Sequence, residues 1–217
     1  MPLRVVSFDL DGTLIHPAIF NAVADGLGFG EPLQWSYEEY VAGRMSLEDA
    51  FRHDYRHFVG RRVEDMHRAL RATDAWTPGI APAVERLRRA GLRVIVTTDQ
   101  PRFLAETTRW FGVEEVVCTD AEVRDGVVTG DVRPAFDKWA NLARWLDGAG
   151  VEARDVAHVG NGTNDLPVFA RVGVSLAVNP LHPSVVAGAQ ASIERMQTLE
   201  QAADLLLALR GPASTPS

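Results

Sequence analysis

Lysine and cysteine each occur once among these 217 residues, and both scarcities carry information. A single thiol, Cys118, excludes an internal disulfide. Flanked by Val116 and Val117, it reads as a buried, inert side chain in a reducing compartment. No apolar run approaches the roughly 20 residues that a membrane-spanning helix needs. The first apolar segment is interrupted by Arg4, so no secretory leader is expected. A basic excess is missing as well. The 22 basic residues are outnumbered by 29 acidic ones, and the net charge of −7 argues against a nucleic-acid or anionic-membrane surface. The expected location is the cytoplasm. What is present, 46% hydrophobic residues, is enough for a proper core in one domain with an insertion. The last residues, 211–217, have the composition of a disordered tail.

Apolar segments at 3–9, 92–98, 115–119, 155–159 and 173–178 read as strands. Helical patterns follow them at 80–90, 101–112, 136–149, 164–171 and 198–209. Strands separated by helices predict an α/β fold, a three-layer Rossmann-like core with a parallel sheet covered on both faces. Residues 16–76 break the rhythm. They hold no convincing strand but several amphipathic windows, one opening at Ser46 with Asp49 three residues on, a capping-box-like start. Thr77-Pro78-Gly79 marks the return. The expected division is a core of residues 1–15 and 77–210 with a small all-helical cap, 16–76, inserted over the site.

The most informative stretch is Asp9-Leu10-Asp11-Gly12-Thr13, which follows the apolar run Leu3 to Phe8. Gly12 lets the chain turn as the strand ends, and two carboxylates are presented where open α/β sheets place their chemistry. Like charges so close repel, and a divalent cation is the usual remedy. The pair suits a carboxylate nucleophile beside a carboxyl acid/base; the plain alternative is two solvated acids in a turn. Lys138 stands where arginine is the default in this chain. A compact ammonium can reach a phosphoryl oxygen and a carboxylate together, although a surface lysine opening a helix is the simpler reading. The strand Val94-Ile95-Val96 ends in the hydroxyls of Thr97 and Thr98, donors that suit phosphate. The strand ending at Val159 runs into Gly160-Asn161-Gly162-Thr163-Asn164-Asp165, whose oxygens are hard-cation ligands.

In this order, each at a strand end, the four sets resemble the motifs of the haloacid dehalogenase-like (HAD) superfamily, in its phosphoserine-phosphatase-like branch. The resemblance covers about residues 3 to 209, and residues 124–131 resemble the small hairpin this branch carries before its lysine, with Asp125-Gly126 as the turn. It implies a magnesium-dependent phosphatase acting on a small phosphorylated metabolite. Asp9 would be the nucleophile, Asp11 the acid/base, and Lys138 the charge steadied by Asp165. Thr97, Thr98 and Asn164 would hold the phosphate. Mg2+ would lie among Asp9, the Asp11 main-chain oxygen and Asn161, with Asp165 sharing the load. Two positions depart from the family pattern. Asn161 is neutral where the family has a metal-binding aspartate. The cap glutamate and arginine that hold serine in phosphoserine phosphatases align with Ala18 and Asp54, with Arg52 and Arg56 close enough in sequence to compensate for the arginine. Phosphoserine phosphatase proper, a phosphomutase and a catalytically weak phospho-ligand binding protein remain alternatives. The expected state is monomer or homodimer.

Other conspicuous residues have plainer readings. His53 and His57, one helical turn apart, lack a third zinc ligand and read as a polar helix face. Trp35, Tyr37 and Tyr40 read as cap core rather than an aromatic wall for a substrate. Trp110, Phe111, Trp139 and Trp145 read as core, and Arg86, Arg88, Arg89 and Arg93 as a solvated helix face.

Overall fold

The central strands are mostly apolar because both faces of the sheet are covered there. In the computed structural model, which describes residues 3–133 and 136–210, every residue of β1 (Val5–Phe8) is buried. So is every residue of β5 (Val156–Gly160). With β2 (Arg93–Pro101), β3 (Glu115–Arg124), β4 (Val127–Arg133), β6 (Val174–Val178) and β7 (Ala191–Ile193) they form one sheet in the order β4-β3-β2-β1-β5-β6-β7. All neighbours are parallel except β3 and β4. The last pair is the expected hairpin, with Asp125 and Gly126 both in the left-handed region at φ 51° and 76°. β1 is central, so its carboxyl end opens between β2 and β5.

Four helices follow β1: α1 (Ile19–Gly26), α2 (Glu31–Val41), α3 (Leu47–Tyr55) and α4 (Val63–Ala72). Ser46 caps α3 as its spacing predicted, its Oγ accepting from Asp49 N at 3.0 Å. The remaining helices are α5 (Ile80–Arg89), α6 (Arg102–Ala105), α7 (Lys138–Ala149), α8 (Leu166–Phe169), α9 (Pro183–Gly188) and α10 (Leu199–Leu209). Asp137 caps α7, accepting from Ala140 N at 2.8 Å, and so fixes where Lys138 begins its helix. Val5, Ile95, Leu142, Leu146 and Val168 form the core between the sheet and α7–α8. The larger core joins the opposite face to α5, α10 and the four early helices.

Main-chain hydrogen bonds tie the early helices back to the rest of the chain. His16 N donates to Ala75 O and Thr77 N to Leu14 O, both at 2.9 Å, so the outgoing and returning chains run side by side. Further out, Gly60 N bonds Val128 O and Val63 N bonds Gly126 O, again at 2.9 Å, which docks the turn before α4 onto the β3–β4 hairpin. Within the helices Phe58, fully buried, stacks on Phe20 at 4.6 Å and meets Phe29 edge-on at 5.6 Å.

Several expectations need correction. The helix expected over 101–112 is a four-residue α6 followed by a 3₁₀ segment, Glu106–Phe111, because β2 runs on to Pro101 and takes up its start. β7 and α9 were not expected, being too short to show a period. Trp110, Trp139 and Trp145 are half-buried at the core's edge, each covered by an arginine: Arg71, Arg171 and Arg93 respectively. Cys118 is half-buried, and burial pushes its thiol up to about 11, so inertness holds. Trp35 is 50% exposed and is not cap core. The disordered tail expected over 211–217 lies outside the described residues, among which no helix is long and apolar enough to cross a membrane.

Phe58→Ala should lower the unfolding free energy by about 3–5 kcal/mol, since it removes a fully buried ring from a packed cluster. A denaturant midpoint shift worth less than about 1 kcal/mol would contradict this packing.

Candidate active site

At the end of β1 the chain folds into a tight turn, with Thr13, Leu14 and Ile15 N–H groups all donating to Leu10 O. Gly12 sits at φ 73°, and a Cβ there would overlap the Asn161 side chain, so glycine is needed for conformation and for space. The turn aims Asp9 and Asp11 into a small cavity of about 90 Å³ between the sheet end and helices α1–α3. Asn161, Gly162, Asn164, Thr98, Asp99 and Gln100 supply its sheet side.

Asp9 is 5% exposed, and its Oδ1 lies 2.8 Å from Lys138 Nζ. The same ammonium is 2.5 Å from Asp165 Oδ1. One positive charge therefore serves two buried carboxylates, and they do not share it equally. Asp165 also accepts from His158 Nε2 at 3.0 Å and from the N–H groups of Asn161 and Gly162 at 3.0 and 2.9 Å. Burial alone would raise its pKa, but Lys138 and His158 outweigh that and hold it well below the carboxylate range. Asp9 has no such set of donors. Burial first, and then Asp165, push its pKa well up. For Lys138, burial opposes the charged form, yet Asp165, Asp9 and Asp99 together hold it above the usual lysine range.

Asp11 is held from two sides, its Oδ1 accepting from Ile19 N at 2.7 Å and its Oδ2 from Gln100 Nε2. Burial lifts its carboxyl to about 6, against the pull of those hydrogen bonds. A carboxyl at that value can give and take a proton near neutrality.

Of the expected site residues, the structure brings Asp9, Asp11, Thr98, Asn161 and Asn164 to the cavity wall, with Lys138 directly behind Asp9. Two expectations fail. Thr97 is fully buried and its Oγ1 is engaged with Ser7 Oγ at 2.8 Å, so it faces the interior beneath the site and holds no phosphate. Asp165 does not line the cavity, and both its oxygens are spent on Lys138, His158 and two main-chain N–H groups. It holds the lysine and the loop but has no oxygen left for a metal. Gly160 is required beside it, since a Cβ there would overlap the Asp165 carboxylate.

Sequence reasoning missed three groups. His158 is wholly buried within β5 and bridges Ser7 Oγ at 3.0 Å to Asp165, and a lone polar residue in an apolar strand was the available signal. Asp99 is 7% exposed; its Oδ2 accepts from Asn164 Nδ2 at 2.9 Å, and its Oδ1 has no hydrogen-bond partner. Gln100 likewise leaves Oε1 unpartnered. Tyr37 and Tyr40 line the cavity, so they serve as the aromatic wall and not as core. The His53 and His57 rings lie 5.4 Å apart, and among the described residues no third His, Cys, Asp or Glu converges with them as a metal ligand.

Among the described residues no three His, Cys, Asp or Glu side chains converge as metal ligands. Asp9, Asp11 and Asn161 line the same cavity and bring hard oxygens to charge that Lys138 leaves unbalanced, a donor set that fits a divalent cation.

A model of the haloacid dehalogenase-like hydrolases matches residues 6–170. A phosphoserine phosphatase of Halobacterium salinarum is 26% identical over 208 residues, 93% of this chain and 98% of its own length. One of Polaromonas sp. is 26% identical over 184 residues, 80% of this chain and 78% of its own. A solved phosphoserine phosphatase with a phospho-aspartyl intermediate analogue superposes with a TM-score of 0.78 at 21% identity, over 94% of this chain and 99% of that one, which shows a common fold. The matched span takes in the turn of Asp9 and Asp11, the helix of Lys138 and the loop from Asn161 to Asp165, and on it this chain belongs to the haloacid dehalogenase-like hydrolase family.

Proposed function

We propose that the chain is a magnesium-dependent phosphatase that hydrolyses a small phosphate monoester through an aspartyl-phosphate at Asp9. One observation carries the reading: a carboxylate held by a buried ammonium, Asp9 with Lys138 at 2.8 Å, shares a cavity with a second carboxyl, Asp11, lifted to about 6. Asp9 attacks phosphorus and the bond from phosphorus to the ester oxygen breaks. Asp11 gives its proton to the departing alkoxide. Its carboxylate then takes a proton from the water that cleaves the acyl phosphate and returns Asp9. Thr98 and Asn164 border the phosphate, and Lys138 opposes its charge. Asp9, the Asp11 main-chain oxygen and Asn161 would hold magnesium, which when bound supplies positive charge against Asp9 and the phosphoryl group. Residues 16–76 act as a cap that closes the cavity over residues 1–15 and 77–210 and keeps bulk water from the acyl phosphate.

Asp9→Asn should abolish turnover with the fold intact, a loss of several orders of magnitude in kcat. Retention of more than about a tenth of wild-type activity by the folded variant would refute the covalent route.

Lys138→Arg should be nearly as inactive as Lys138→Ala. A guanidinium fork cannot occupy the point between Asp9 and Asp165 that the ammonium fills. Full activity of the arginine variant, measured on a soluble chromogenic ester, would remove Lys138 from the mechanism.

Asn161 separates an enzyme from a protein that only binds phosphorylated ligands. A neutral amide attracts a divalent ion less than a carboxylate does, so Asn161→Asp should lower the magnesium concentration for half-maximal hydrolysis. If the wild type binds phosphate esters but cleaves none at saturating magnesium, while the aspartate variant gains activity, the chain is a binding protein on a phosphatase scaffold.

A further inference from the structure

The far side of the cavity is formed by Pro17, Ala18, Phe20, Tyr37, Phe51 and Asp54. Asp54 is buried, and its Oδ1 is fixed by Ser36 Oγ at 2.6 Å and His53 Nδ1 at 3.0 Å. Among the described residues its Oδ2 takes no hydrogen bond, and the residue lines the cavity. Burial raises its pKa, and the hydrogen bonds from His53 and Ser36 and the charge of Arg56 offset that only in part. Arg52 turns outward to Glu48 at 2.7 Å, Arg56 is exposed against His57, and neither lines the cavity. Among the described residues that do, Asp9, Asp11, Asp54 and Asp99 are acidic and none is lysine, arginine or histidine. On the sheet side of the same cavity, the unpartnered Asp99 Oδ1 adds a second buried oxygen without a partner.

Resting on the phosphatase reading, we propose that the alcohol released here bears a primary ammonium and no carboxylate, the ammonium docking on Asp54 among Tyr37, Phe20 and Phe51. A substrate carboxylate would sit beside a buried acidic group with no cationic side chain on the cavity wall to receive it, which costs far more than a missed contact. An ammonium gains a charge-assisted hydrogen bond to the free oxygen of Asp54 and the faces of aromatic rings. Ala18 leaves no side-chain charge to compete for it. The phosphorus–oxygen bond to the amino alcohol breaks, Asp11 protonates that oxygen, and the ammonium leaves unchanged.

The test compares kcat/KM with magnesium for phosphoethanolamine and aminopropyl phosphate, each against its hydroxyl counterpart, and for phosphoserine and p-nitrophenyl phosphate. One amino ester should exceed phosphoserine by at least about tenfold and its own hydroxyl counterpart by several-fold. In Asp54→Asn the ammonium-to-hydroxyl ratio should fall toward one, mainly through KM. The wild-type comparison stands even if that variant does not fold. Phosphoserine cleaved as well as the amino esters, or a ratio unmoved in folded Asp54→Asn, overturns the inference while leaving the phosphatase intact. Cleavage of no ester, p-nitrophenyl phosphate included, removes both.

Discussion

Lys138 brings one positive charge to two carboxylates, Asp9 at 2.8 Å and Asp165 at 2.5 Å, where water cannot screen them. Everything around the site follows from how that charge is divided. Asp165 takes the larger share because His158 and two main-chain N–H groups already stabilise its anion. Asp9 is left as the under-neutralised partner, pointed at the cavity. The arrangement needs three chain segments to meet: β1 for Asp9, the start of α7 for Lys138, and the loop after β5 for Asp165. A parallel sheet with β1 at its centre and β5 beside it makes that meeting possible. The buried trio is then a constraint on the fold as well as a site, since removing the ammonium would strand two anions in the interior.

A line of polar side chains continues beneath the trio, from Asp165 through His158 and Ser7 to Thr97. All four are fully buried at the sheet's centre. Each neighbouring pair lies at hydrogen-bond distance, so the chain avoids the penalty of unpaired polar groups in an apolar sheet. It also holds Asp165 from behind, which keeps the lysine pointing at Asp9. By contrast Asp99 and Gln100, at the open end of β2, leave oxygens unpaired on the cavity side. The site is satisfied below and unsatisfied above, on the side that lines the cavity.

The parallel sheet, the central strand and the positions of Asp9, Asp11, Lys138 and Asn161 were legible in the sequence because each rests on a local signal. Apolar runs mark the strands, Gly12 marks the turn, and a lone lysine follows a capping aspartate. Thr97 and Asp165 were misread for a different reason. In a strand, neighbouring hydroxyls point to opposite faces, and only the register Phe8 to Val96 decides that Thr98 lines the cavity while Thr97 meets Ser7. Asp165 was expected to ligate a metal because carboxylates on such loops do so. Its actual partners, His158 and the backbone of its own loop, come together only in three dimensions. The aromatic residues of α2 failed for the same reason: periodicity shows that Tyr37 and Tyr40 share a side of the helix with neither core nor solvent named. Trp35, half exposed, lies off that side.

Charge balance also bears on the order in which the site fills. A phosphate ester carries negative charge into a cavity whose wall holds Asp9, Asp11, Asp54 and Asp99 and whose one adjacent ammonium is already bonded to two carboxylates. Alone, it would meet net repulsion at short range and low dielectric. On the function proposed above, its entry calls for a cation at Asp9 opposing the phosphate and a group at Asp54 that does not add another anion. The neutral Asn161 keeps one negative charge off the Asp9 end of the wall, and the acidic Asp54 sets the second requirement. Selectivity in this cavity is thus set by what its wall repels as much as by what it binds, with the apolar rings of Phe20 and Phe51 indifferent to charge and the carboxylates deciding.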